Sequence, residues 1–181
     1  MTLKKILSAA ASIIKLFIFI FFTTNSNAET SYNKYYSKDL GTLSLMYHRS
    51  NEDKYPSTNI QMEIFKEQVE IIKKNNYEFY NPKKFDLEFT KPKLKKKILI
   101  SIDDAFSSFY ENAWPYLKEN KIPFILFVST EPVGKYGYMT WDQIKEIEKE
   151  DFVFIGNHSH SHDYLVDYNF EKFKKDIDLS I

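Results

Sequence analysis

Short apolar runs alternating with helix-spaced stretches constrain this chain more than any other feature. The runs are 43–47, 77–80, 98–102, 123–128 and 152–155. The third, Ile-Leu-Ile-Ser-Ile, carries no charge and fits a strand covered on both faces. Runs 43–47 and 123–128 also read as buried strands, and 77–80 as a weaker one. Between them, 60–75 places Ile60, Ile64, Phe65, Val69, Ile71 and Ile72 at the spacing of a one-faced helix. Residues 107–120 read as a second helix, which Pro115 can bend. Thr140 and Gln143 are the two halves of a capping box opening a helix to about residue 150. Asn169 caps a last helix that runs into the C-terminus. The lysine-rich stretch 91–97 is polar punctuation. Strands separated by helices of this length predict repeated parallel βα units in one α/β domain.

Composition narrows the function. The 25 basic and 25 acidic side chains cancel, so nothing global favours nucleic acid or an acidic membrane surface. The absence of cysteine excludes disulfides, thiolate metal ligands and a cysteine nucleophile. A hydrophobic content of 43% is too high for a disordered chain. The first residues have a different character. Lys4 and Lys5 precede an apolar run interrupted by Lys15, and Ser26 and Ala28 are spaced as a small-residue cleavage site requires. Residues 1–28 therefore read as an export signal, 29–40 as a flexible leader and 41–181 as the folded domain. Residues 6–22 are short for a bilayer span and contain a lysine. The expected product is exported, periplasmic or extracellular, with no stable membrane span after cleavage.

Two stretches carry chemistry. The first is Ser101-Ile-Asp103-Asp104, at the end of an apolar strand. A buried strand does not accept two unpaired charges, so both carboxylates belong at its C-terminal mouth, where parallel α/β folds place their sites. The bland alternative is a turn in which Asp104 caps the following helix. The second is His158-Ser-His160-Ser-His162, directly after the run 152–155, with three of the chain's four histidines in five residues. His158 and His162 share a face if the segment is helical, and all three histidines share one if it is extended. Both stretches follow strands and so meet at one end of a parallel sheet. Two imidazoles and one carboxylate with an open position make a hydrolytic metal site of the zinc type, leaving the second aspartate free as a base.

These residues resemble the polysaccharide deacetylase family, also called carbohydrate esterase family 4 or the NodB-homology domain. Ser101-Ile-Asp-Asp-Ala105 is similar to its T-F-D-D-G motif, and His158-Ser-His-Ser-His162 to its H-[ST]-x-x-H motif. Met46-Tyr-His-Arg49 and Tyr55-Pro-Ser-Thr-Asn59 also look like segments of one branch of the family. The resemblance runs from about residue 43 to the end. It implies a distorted (β/α) barrel of parallel strands, with Asp103 as catalytic base and Asp104, His158 and His162 as metal ligands. The cofactor it implies is a divalent metal, Zn2+ first, with Co2+, Ni2+ or Mn2+ as alternatives. It implies hydrolysis of acetyl groups from an N- or O-acetylated polysaccharide or cell-wall glycan, and puts His48 near the site mouth as a substrate contact. His160 falls on a variable position.

The sequence departs from the family pattern in three ways. Ala105 replaces a glycine and is strained if that position needs positive φ. Asp163, not proline, follows His162. The family's later motifs, which supply an arginine partner for the base and a general-acid histidine, find no match, since the one arginine is Arg49 and no histidine follows His162. With five strand runs where the barrel has about seven or eight, 41–181 is expected to be the N-terminal portion of the catalytic domain. A non-catalytic secreted relative that binds carbohydrate, or metal through His158, His160 and His162, is the competing reading. The particular glycan and the oligomeric state are open at this level.

Overall fold

The structure, a computed structural model, describes residues 42–84 and 96–181. The export signal and leader expected over 1–40 lie outside the described residues, as does most of the polar stretch 91–97. No helix among the described residues is long and apolar enough to cross a membrane.

The five apolar runs form one sheet. Its strands are β1 (Thr42–Tyr47), β4 (Glu78–Phe79), β5 (Lys97–Asp103), β6 (Phe124–Val128) and β7 (Val153–Asn157), and all pair parallel. β5 is central, with β1 along one edge and β4 and then β6 along the other, followed by β7. Two short strands not foreseen from the sequence, β2 (Arg49–Ser50) and β3 (Asn59–Ile60), pair with each other. They are too short to show periodicity. The helices are α1 (Met62–Lys74), α2 (Trp114–Glu119), α3 (Trp141–Glu148) and α4 (Phe170–Leu179).

Local signals explain most boundaries. Thr140 Oγ1 accepts the Gln143 amide while Gln143 Oε1 accepts the Thr140 amide, so α3 opens with both halves of its capping box. Asn169 Oδ1 accepts the Lys172 amide at the start of α4. The expected helix over 107–120 appears as one helical stretch over 107–119, whose middle, Phe109–Ala113, is wound as a π-turn ahead of α2. Pro115 follows directly on that π-turn, the kind of local irregularity that a proline inside a helical stretch goes with.

One face of the sheet forms the core. Ile100, Ile102, Phe124, Leu126 and Val153 are essentially inaccessible and pack with Phe65 and Val69 of α1, Leu117 of α2 and Ile147 of α3. The other face is less covered. β5 is buried on both faces over Ile100–Asp103, as its sequence suggested, with Leu99 half-buried, whereas Ile125 and Phe127 of β6 are half-buried and Phe154 of β7 is exposed. β1 also differs from expectation: Leu43 and Met46 are about 60% exposed. Among the described residues it is an edge strand paired only with β5, so its apolar side chains have neighbours on one side alone. The row Asp103, Phe127 and Gly156 runs in register across β5, β6 and β7 on the less covered face.

Candidate metal centre

The chain leaves β5 through two consecutive left-handed residues, Asp104 (φ 72°) and Ala105 (φ 54°). The Asp104 amide still donates to Phe127 O at 3.0 Å, so the turn begins inside the sheet's hydrogen-bond pattern. Reversing the chain at once lets two adjacent aspartates point into the same mouth, which an extended strand would forbid. Asp104 does not cap the next helix, which begins at 107; the Ser108 hydroxyl in its first turn accepts the Ser50 amide. Both aspartates are buried.

The histidine segment is neither helical nor extended. His158 continues the ladder, its amide donating to Val128 O at 3.1 Å. Ser159 (φ 66°) then reverses the chain and His162 (φ 58°) reverses it again. The result brings the rings of His158 and His162 to 4.7 Å between centroids and turns His160 away. His160 Nδ1 shares a hydrogen bond of 2.8 Å with Thr130 Oγ1. This tight loop could not be chosen from i, i+4 spacing, which anticipates only the two regular alternatives.

These turns bring Asp104, His158 and His162 together, with ligand atoms within 4.8 Å of one another. Asp104 Oδ1 lies 3.2 Å from His162 Nε2 and 3.5 Å from His158 Nε2. Neither contact is aligned as a hydrogen bond, and this buried oxygen accepts none among the described residues. An orphaned anionic oxygen facing two imidazole nitrogens is costly unless a cation satisfies all three. The two separations bracket the edge of about 3.3 Å expected for a tetrahedron with metal–ligand bonds of roughly 2.0–2.1 Å. The donor set therefore fits a divalent ion of zinc type.

Asp103 stands beside this group. Its Oδ2 lies 3.9 Å from His158 Nε2 and 4.0 Å from His48 Nε2. Burial pushes its carboxyl above the ordinary carboxylate range, against the opposing pull of His158 and His48. The sequence's one arginine, Arg49, is not among the partners of Asp103: it pairs with Glu52 and lies 3.5 Å above the ring of Phe106. A cavity of about 350 Å3 opens next to Asp104 and His162, lined also by Ser129, Glu131, Lys135 and Tyr138. The segment 129–139 ties both turns together. Its Met139 amide donates to Ala105 O, and its Thr130 and Glu131 amides donate to Ser159 O and His160 O.

One participant gave no sequence signal. Asp176 of α4 is buried, and its two oxygens accept the amides of His160 (2.9 Å) and Ser161 (3.0 Å). Burial works against its ionisation, but donors from Ser161 and His160 outweigh that and hold its carboxyl below the usual range. In sequence it is indistinguishable from Asp178, which lies exposed two residues on and pairs with Lys174.

Comparison with known proteins agrees with this architecture. The family model described as polysaccharide deacetylase matches residues 90–181. The poly-beta-1,6-N-acetyl-D-glucosamine N-deacetylase of Staphylococcus aureus (strain MSSA476) is 28% identical over 144 residues, covering 70% of this chain and 50% of its own length. The chain thus spans about half the length of the curated relatives it matches. IcaB from Ammonifex degensii superposes with a TM-score of 0.67 at 26% identity, over 77% of this chain and 66% of that one. The Streptococcus pyogenes deacetylase PplD, solved in complex with acetate, gives 0.68 at 21% identity, over 79% and 67%. The second of these likenesses speaks to the fold alone, and both place the described parallel sheet in the deacetylase barrel fold.

Proposed function

Because the chain belongs to the polysaccharide deacetylase family, we propose that it carries the metal-binding half of an exported, metal-dependent deacetylase. The substrate class we assign is an N-acetylated glucosamine polymer, by similarity to the S. aureus relative. The observation that carries this reading is the orphaned Asp104 oxygen facing His158 and His162, with a second buried aspartate beside it. The export signal over 1–28, cleaved after Ala28, belongs to the same proposal.

Amide hydrolysis needs a deprotonated water, an electrophilic carbonyl and a proton for the departing nitrogen. A divalent ion held by Asp104, His158 and His162 supplies Lewis-acid polarisation of the acetyl carbonyl and lowers the pKa of water. Asp103 is placed to take the water's proton. Its position supports that role: it is buried, adjoins Asp104 in the chain and lies 3.9 Å from His158 Nε2. The proton it accepts is available to the nitrogen as the carbon–nitrogen bond breaks, so that the sugar leaves as a neutral amine. His48, whose Nε2 lies 4.0 Å from Asp103 Oδ2, is the residue we assign to the mouth where the glycan enters. The cavity beside Asp104 and His162 offers room for the sugar.

The test is acetate release from N-acetylglucosamine oligomers by the full chain supplied with Zn2+ or Co2+. Asp103→Asn is expected to lower the rate by roughly 10²–10⁴-fold while leaving metal content intact. His158→Ala is expected to lose both. Release unchanged in both variants overturns the reading. Glycan binding with no release by the unaltered chain would make it a non-catalytic relative.

A further inference from the structure

The histidine loop reaches its shape through two left-handed residues, Ser159 and His162. Such backbone persists only where surrounding contacts over-determine it. Those contacts come from two sides: the segment 129–139 meets the loop's carbonyls, with the Thr130 and Glu131 amides donating to Ser159 O and His160 O and Ser129 Oγ to His158 O, while α4 meets two of its amides. Asp176 receives the consecutive amides of His160 and Ser161, one on each carboxylate oxygen. One helical turn later, Ser180 Oγ and O accept the Asn157 side-chain amide at 2.7 and 3.0 Å. Asn157 Oδ1 in turn accepts the Ser159 amide at 2.8 Å. The loop is therefore clasped at its start and at its middle from the same face of α4.

We infer that Asp176 is a positioning residue for the metal centre, holding the backbone between His158 and His162 so that both imidazoles face Asp104 before any ion arrives. This rests on the metal-binding reading above. Two charge-assisted hydrogen bonds to adjacent amides fix both position and orientation of the loop, because a carboxylate gripping two neighbouring N–H groups leaves little rotation. His162 is half exposed, and the contacts from Ser129, Thr130 and Glu131 hold the loop's carbonyls and the His160 ring, so none of them replaces the clasp on the His160 and Ser161 amides. Outer partners of this kind typically govern metal affinity by 10–100-fold.

The experiment measures Co2+ affinity, the cobalt visible spectrum and amide hydrogen exchange in the full chain, for the unaltered protein, Asp176→Asn, Asp176→Ala and Asp178→Asn. Asp178→Asn makes the same charge change on the same helix without touching the loop. Asp176→Ala is expected to weaken Co2+ binding by about tenfold or more, broaden the visible bands and speed exchange at His160 and Ser161. Asp176→Asn should fall between, since its one carbonyl oxygen can accept one of the two amides. Asp178→Asn should stay within about twofold of the unaltered chain. Folded Asp176 variants that bind Co2+ as tightly as Asp178→Asn, with unchanged spectra, overturn the inference while leaving the metal site standing. Loss of the whole fold in both Asp176 variants overturns it too, by making the residue a general support. An unaltered chain that binds no Co2+ removes the metal reading and this inference with it.

Discussion

The aspartate turn and the histidine loop supply ligands to one site but hold them by different means. The aspartate turn inherits its rigidity from the sheet. Asp103 ends β5 in register with Phe127, Asp104 donates its amide to the next strand, and Ala105 and Phe106 are buried directly behind it. The histidine loop leaves the sheet after Asn157 and depends on contacts from 129–139 and α4. Exposure follows the same division: the Asp104 side chain is 12% exposed and that of His162 53%. A metal site assembled this way has one fixed wall and one adjustable wall, and the comparison predicts which substitutions destroy it and which only loosen it.

The largest difference concerns the ligands themselves. Asp104→Ala removes the one anionic ligand, the atom that both imidazoles face, and should reduce Co2+ or Zn2+ affinity by more than 100-fold. His162→Ala removes a half-exposed ligand from the adjustable wall, where water can partly substitute, and should cost less. Isothermal titration on the full chain checks the order. Equal losses would mean that the loop is as rigid as the strand end, and the contrast between the two walls would fail.

A smaller effect tests where the adjustable wall meets the sheet. A Cβ on Gly156 would stand 2.5 Å from Phe127 Cδ1 and 3.2 Å from Ile125 Cγ2. Its backbone is not left-handed, so the glycine serves close approach alone. Phe127 lies between Asp103 and Gly156 in the register row, and its ring also neighbours that of His158, at 6.1 Å. Gly156→Ala must displace that ring, with an overpacking cost of about 1–3 kcal/mol in denaturant unfolding. A melt unchanged from the unaltered chain would show that the less covered face absorbs the methyl.

How much of this was legible in the sequence divides along the same line. The strand runs, the capping box at Thr140 and the cap at Asn169 are local, and each appears as local chemistry requires. The pairing of Asp103 and Asp104 with the histidines was legible because both stretches follow parallel strands. The path of the loop was not, because the local turns from Asn157 Oδ1 to the Ser159 amide and from Ser159 Oγ to the His162 amide are only two of its supports, and the rest come from Thr130, Glu131 and Asp176, far off in sequence. Asp176 was invisible for the same reason: what separates it from Asp178 is which helix face meets the loop 15 residues upstream. The half-covered sheet face and the exposed edge of β1 were also out of reach, since an apolar strand does not state how many neighbours it has.

The Asp176 clasp also has a pH signature. Its carboxyl is held below the usual range in the folded chain, so its contribution is complete above the ordinary aspartate pKa of about 4 and is lost as pH falls through the lower folded value. Thermal melts of the unaltered chain and Asp176→Asn should therefore differ by a constant amount from neutral pH down to about 4, and converge below it. A difference that widens on acidification would mean that the folded state raises the proton affinity of Asp176.

The smallest expected effect lies in the fixed wall. Ala105 is fully buried at φ 54°, where an L-residue is crowded by its own Cβ. Relieving that strain is worth roughly 1–2 kcal/mol, and glycine gives back part of the gain through its freer unfolded chain. The methyl also packs in the core cluster beside Phe109 and Met139, so removing it costs some contact. These terms leave Ala105→Gly at about 1 kcal/mol of net stabilisation or less, with metal affinity unchanged, because the Met139 amide holds the Ala105 carbonyl whatever the side chain. Urea unfolding with and without Co2+ separates the two quantities. If the variant instead lowers metal affinity, the Ala105 methyl is helping to set the angle of Asp104, and the fixed wall owes its shape to packing as well as to the sheet.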